Sequence, residues 1–455
     1  MGRSNRAKQR RRERRFAEKM AGGRAARAPQ AGLNDMAGRL RGMLWRPSYG
    51  EARAVIFALA VKSVFTLAML AFGHNHAEII AAFDLQSWFP GEPNNWNRWY
   101  TRGAPVWYAP LAHWDGQHYL LLADWGYNIQ YDNTGGKQFY PLYPLAIRAF
   151  SLVFSPAVSA LLLNYLFVGG FCAFLYRTGA HFGCRWPALS VVMVMAFPTA
   201  FFTSAFYSEP LFLFLLGGFF HHFFCTKNRR AYLLFFALLP LSRGSAAFVF
   251  GGLALCALLE FARFFAARRA AHAAEEPAAA PQMFAWRPYA ECAAVFVLGA
   301  VAYLAFFQIV VGDAFVGIKA QARANTGNSI ANIFNPAHFW DILTAKSMDA
   351  KWFSIYHARS YYWIMWITLA ACAAFAALRE WKLLCFYFSL VYCHAAMGDL
   401  AGHTRYMLAA MPFLALALAK HARRRQHAAM IYALCAAMFA LQLYLAARYA
   451  MNLWV

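Results

Sequence analysis

Residues 54–72 read AVIFALAVKSVFTLAMLAF, and this stretch decides the fold class. As a helix rising 1.5 Å per residue it is long enough to cross roughly 30 Å of hydrocarbon, and Lys62 is its only charge. Apolar runs of similar character recur from there to Val455, more than a soluble or single-spanning architecture can absorb. The composition agrees: of 455 residues, 61% are hydrophobic, 18% aromatic and only 14% charged, with a mean hydropathy of +0.37. The expectation is an all-α polytopic membrane protein.

Spanning helices are expected at about 53–73, 156–177, 187–207, 208–225, 230–242, 245–266, 289–311, 360–378, 382–397, 404–420 and 428–448, about eleven in all. The segment 230–242 is short for a span unless it is broken at Pro240. The formal charge of +23 does not signal nucleic acid, because much of it sits in the tail Met1–Arg46, where fourteen Lys or Arg face three acids. That tail reads as a disordered cytoplasmic arm that anchors topology and touches anionic headgroups. The first apolar run lacks a small-residue cleavage site and is expected to stay as the first span.

With the N-terminus cytoplasmic, the inner connections carry Arg177 and Arg185, then Lys227, Arg229 and Arg230, then Arg268, Arg269 and Arg287, then Arg379 and Lys382, then Lys420 and Arg423–Arg425. Each is basic, as the positive-inside rule requires. The outer segment 74–155 instead holds four Lys or Arg and six acids. The expected organisation is a basic tail (1–50), a front half (51–266) with outer loop 74–155, an Ala-rich cytoplasmic linker (267–288), and a rear half (289–455) with outer loop 312–358. No internal repeat is visible, which argues against a secondary transporter. The nine cysteines show no CxxC or Cys/His spacing, so neither a disulfide framework nor a zinc site is expected.

The chemistry concentrates between the spans. In HWDGQHYLLLADWGY (His113–Tyr127), a helix starting near Ala112 sets Asp115, His118 and Tyr119 on one face. Asp115 there could accept a proton, or merely charge the first turn. Around it lie Trp88, Trp96, Trp99, Tyr100, Trp107, Tyr108, Trp114, Trp125 and Tyr127, rings suited to sugar faces and to headgroups alike. In FYPLYPLAIRAF (Phe139–Phe150), Pro141 and Pro144 argue against a continuous helix at their own positions and suggest a re-entrant or interfacial elbow. In FFTSAFYSEP, Glu209 stands at a helix start, costly at membrane depth without a partner. Arg243 in LSRGSA demands a counter-charge or phosphate, or snorkels; Lys62 is expected to snorkel. Arg405, at a helix mouth in GDLAGHTRYMLAAMP, could hold a phosphate bidentately or serve as a headgroup anchor. His74, His76 and Glu78 read as a solvated loop; a divalent cation is admitted but not required.

Taken in order, HWDGQHYLLLADWGY, QFYPLYPLAIRAF, FFTSAFYSEPLFLF, LSRGSA, GDAFVGIKAQ and RYMLAAMPFL resemble the bacterial relatives of the GPI mannosyltransferase 2 (PIG-V) family, within the GT-C superfamily of membrane glycosyltransferases. The resemblance covers most of the chain after the tail. It implies a GT-C-like helical bundle whose large non-cytoplasmic loops carry interfacial helices. It further implies transfer of a hexose, typically mannose, from a polyprenyl-phosphate sugar to a glycan or lipid acceptor on the periplasmic side of a bacterial inner membrane. Asp115 then matches the catalytic base. Glu209 matches the glutamate of the family's YSE segment and Arg243 the arginine of its polar break. Substrate-binding candidates from these strings are His113, Trp114, His118, Tyr119, Tyr127, Tyr140, Tyr143, Glu209, Arg243, Gln321, Arg405 and Tyr406. The chain departs from the family where His113 replaces an arginine and SRGSA replaces an SRSNG-like break. The competing classes are a lipid or glycan flippase and a non-catalytic subunit of a glycan assembly complex.

Overall fold

The computed structural model describes residues 48–75, 78, 106–128, 136–273, 284–324, 330–344, 355–397 and 403–451. The basic tail, Trp88, Trp96, Trp99, Tyr100 and His76 lie outside the described residues. The chain divides into two units, Met1–Tyr49 and Gly50–Val455. Of the first only Ser48 and Tyr49 are described, and the helical architecture belongs to the second.

No strand occurs among the described residues. The α-helices are α1 (Tyr49–His74), α2 (Asp115–Trp125), α3 (Leu142–Phe150), α4 (Pro156–His181), α5 (Pro187–Ala196), α6 (Glu209–Phe220), α7 (Arg229–Leu238), α8 (Ala246–Ala273), α9 (Arg287–Val311), α10 (Val316–Ala324), α11 (Pro336–Leu343), α12 (Ile355–Ala377), α13 (Trp381–Ala396), α14 (His403–Met407), α15 (Met411–His421) and α16 (Arg425–Ala450). Five of them, α1, α4, α8, α9 and α16, are long and apolar enough to cross a membrane.

Several helix starts are written locally. Ser155 caps α4 through Val158 N–H with Pro156 next, Asn228 caps α7 through Ala231 N–H, and Asn335 caps α11 through Ala337 and His338 N–H, each satisfying orphan donors of the first turn. Helix α4 packs on α5 and α6; α6 packs on α7, and α7 on α9. On the other flank α8 packs on α13 and α13 on α12, while α5 meets α15 and α16. Small residues permit the closest approaches: a Cβ added at Gly299 of α9 would lie 2.2 Å from the Ala237 carbonyl oxygen of α7.

The structure corrects several expectations. Residues 187–207 form no single helix: α5 stops at Ala196, a 3-10 turn covers Ala200–Thr203, and α6 begins at Glu209. The segment 230–242 does break near Pro240, where α7 passes into a 3-10 turn, Leu239–Leu241. The expected span 404–420 is divided into α14 and α15. The elbow at 139–150 is instead largely helical, because Pro141 caps α3 and Pro144 falls in its first turn, where no intrahelical N–H is needed. Helix α8 continues to Ala273, well into the expected linker.

Lys62 does not snorkel. It is 1% exposed, on the stripe of α1 that also buries Ala58, Phe65, Thr66 and Met69. Its Nζ donates to the Thr203 carbonyl at 2.6 Å and lies 4.5 Å from the Tyr165 ring centroid. The physical reason is the break before α6, which leaves carbonyls without helical donors. Lys62 takes one, Asn164 Nδ2 takes Ala205 O at 2.7 Å, and Ser204 Oγ donates back to Lys62 O.

Candidate active site

Four charged side chains meet, and each comes from the start of a helix or from a helix interruption. Asp115 is the first residue of α2 and Glu209 the first of α6. Arg243 lies in the gap between the 3-10 turn Leu239–Leu241 and α8, and Arg405 in the short α14. Irregular backbone at these points lets long polar side chains converge instead of running along a helix face.

Arg405 bridges both carboxylates. Its Nη1 donates to Asp115 Oδ2 at 2.6 Å and its Nε donates to Glu209 Oε1. Arg243 Nη1 reaches the same Glu209 Oε1 at 2.6 Å, and Ser208 Oγ at 3.4 Å. Formal charge within the quartet therefore cancels. Burial is uneven: the side chains of Glu209, Arg243 and Arg405 are 6%, 11% and 15% exposed, that of Asp115 35%. Glu209 is thus an internal counter-ion, and its Oε2 is buried without a partner among the described residues. Asp115 is the member open to a ligand, and its Oδ1 has no protein partner among the described residues.

Aromatic rings wall the quartet. The Arg405 guanidinium lies 4.3 Å from the Tyr207 ring centroid and 5.3 Å from that of Phe202, and Arg243 lies 5.5 Å from Tyr406, distances at which cation–π attraction operates. Tyr406 stacks on His394 at 4.4 Å, and His394 Nε2 is 3.1 Å from Ser245 Oγ. Tyr119 Oη pairs with Ser208 Oγ at 2.9 Å. Burial holds the Tyr119 hydroxyl above the ordinary phenol range, so it stays protonated and uncharged beside the quartet.

Of the residues singled out from sequence, Asp115, Tyr119, Glu209, Arg243, Arg405 and Tyr406 come together. Arg405 spends Nε and Nη1 on the two carboxylates. The others serve the walls. His113 Nε2 bonds Ala450 O at 3.0 Å, and Trp114 is the residue from which α2 starts. His118 stacks on Phe139 at 5.1 Å. Tyr143 donates to Asn164 Oδ1 at 2.8 Å and meets Tyr119 edge-on. Tyr127 donates to Phe139 O and packs against Phe306 and Phe307. Tyr140 packs against Tyr303 at 4.9 Å, and burial pushes its hydroxyl up to about 12. Gln321 donates to Gln138 O at 3.2 Å.

Sequence reasoning missed Tyr207, Ser208, His394 and Tyr449. Tyr207 and Ser208 adjoin Glu209 in the string already singled out, and a histidine inside an apolar run was the available signal for His394. Among the described residues no three His, Cys, Asp or Glu side chains are grouped to hold a metal ion, and His74 Nε2 is committed to Trp107 O at 2.9 Å. Neither a family model nor a curated protein matches the chain.

Proposed function

We propose that the chain is a membrane glycosyltransferase of the GT-C type, moving a hexose, typically mannose, from a polyprenyl-phosphate sugar to a glycan or lipid acceptor. The observation that carries the reading is one open carboxylate, Asp115, held by Arg405 beside a second clustered arginine, Arg243, where helices start or are interrupted. In the reaction, Asp115 Oδ1 takes the acceptor hydroxyl proton while that oxygen attacks the anomeric carbon. The bond from the anomeric carbon to the donor phosphate breaks, configuration inverts, and the lipid phosphate leaves with the bonding electrons. A phosphate departs without strong acid help, so one carboxylate suffices as base, and Arg405 with Arg243 supplies positive charge where the leaving group gains negative charge. Arg405 also fixes the Asp115 carboxylate, leaving Oδ1 as the oxygen that can act. In this reading the N-terminal tail is cytoplasmic, and the quartet faces the periplasm of a bacterial inner membrane.

The test is to incubate purified protein with labelled polyprenyl-phosphate hexoses and extracted membrane glycans, beside Asp115→Asn. Wild type should label an acceptor, and the variant should lose turnover while still unfolding in one cooperative transition, which shows that it is folded. Near-normal turnover in Asp115→Asn overturns the role of Asp115 as the base, and lipid movement across vesicles without any transfer overturns the reading in favour of a flippase.

A further inference from the structure

The turn that delivers Asp115 runs against backbone preference. Trp114 has φ +54° and ψ −122°, and the Gly116 N–H donates to the His113 carbonyl at 3.1 Å. These are the marks of a type II′ turn, whose second residue is ordinarily glycine. A bulky side chain there is strained, and such strain persists only where the surroundings over-determine the conformation.

One atom carries several of these bonds. The His113 carbonyl oxygen also accepts the Tyr449 hydroxyl at 2.8 Å and the Tyr207 hydroxyl at 3.3 Å. Tyr207 Oη in turn receives the Asp115 N–H at 3.2 Å. Tyr449 lies in the last turn of α16 and is 1% exposed. Its ring packs near His113, Phe201, Phe202 and Tyr207. The carbonyl preceding a strained residue is thus pinned from a helix 336 positions away.

We infer that Tyr449 is a positioning residue for Asp115: its hydroxyl holds the His113–Gly116 turn in a conformation that tryptophan would otherwise leave, and so aims the carboxylate. This rests on Asp115 being the base of the proposed transfer.

The experiment compares Tyr449→Phe in two backgrounds, wild type and Trp114→Gly, because glycine adopts the turn without being held. In the wild-type background kcat should fall about tenfold with the donor KM changed less than about twofold, the signature of misplacement and not of lost binding. In the Trp114→Gly background the same substitution should cost less than about threefold. A second readout needs no turnover: in Asp115→Cys protein, Tyr449→Phe should change the rate of modification by a water-soluble methanethiosulfonate, and should not when residue 114 is glycine. Equal losses in both backgrounds, or no loss in either, overturn the inference. If Tyr449→Phe folds only together with Trp114→Gly, the inference is supported; if it folds in neither, Tyr449 serves folding and the inference fails. Asp115→Asn separates the two levels: full turnover there refutes the base, whereas its inactivity beside an unaffected Tyr449→Phe refutes only the positioning.

Discussion

Replacing Glu209 by glutamine tests whether the quartet is held by charge. The change keeps shape and removes one negative charge lying between two guanidiniums. Arg405 would keep Asp115 at 2.6 Å, but Arg243 would lose the carboxylate it now holds at 2.6 Å. Neither orientation of the amide is comfortable. With its oxygen at the present Oε1 position, the NH2 group occupies the Oε2 position, which is buried without a partner; reversed, it faces two cations. Removing one partner of a buried ion pair costs about 3–5 kcal/mol, and an unpaired buried donor about 1–3 kcal/mol. Because Asp115 still neutralises one arginine, we expect a net loss of about 3 kcal/mol. Thermal unfolding in detergent, followed by tryptophan fluorescence, should show a clear drop in Tm, and Glu209→Gln/Arg243→Met should recover part of it by removing the uncompensated cation. A Glu209→Gln midpoint within about 1 °C of wild type, given that 1 kcal/mol moves Tm by about 2–4 °C in domains of moderate size, would refute an electrostatic role for Glu209.

Asn164→Leu should destabilise by about 2–6 kcal/mol, because it strands both the Tyr143 hydroxyl, now donating at 2.8 Å, and the Ala205 carbonyl, now accepting at 2.7 Å, each worth about 1–3 kcal/mol when left buried and unpaired; chemical denaturation against wild type checks this. Burial lowers His403 from 6.5 to about 4, so between these values the unfolded chain binds the extra proton. Stability should therefore be complete above about pH 6.5 and fall by about 3 kcal/mol on approach to pH 4. His403→Phe should flatten that slope in Tm measured across the window, and an unchanged slope would reject the assignment.

How much was legible from residues alone depends on what specifies each feature. Helix α1 and its long apolar counterparts are written in runs of one composition, so length and hydropathy suffice. The break before Arg243 was announced by Pro240, but the one before Glu209 is not written that way, since Phe201, Phe202 and Phe206 continue the apolar pattern through the interruption. Only the acceptors that neighbouring helices satisfy reveal it, namely Thr203 O and Ala205 O. The four charges were each conspicuous as ionisable groups in apolar surroundings. Their pairing was not, because Arg405 meets residues 196 and 290 positions away. Lys62 shows the limit most clearly. A lysine in an apolar helix snorkels if its stripe faces lipid and is buried if its stripe faces a broken neighbour, and the local sequence is identical in the two cases. Tyr449 is the same problem for an aromatic: near the end of an apolar helix it reads as an interface ring, and only the position of the His113 carbonyl turns its hydroxyl into a strut. Local composition therefore specifies which groups are costly to bury, while the helix interruptions decide which of them meet. The candidate chemistry of this chain is found where the helices stop.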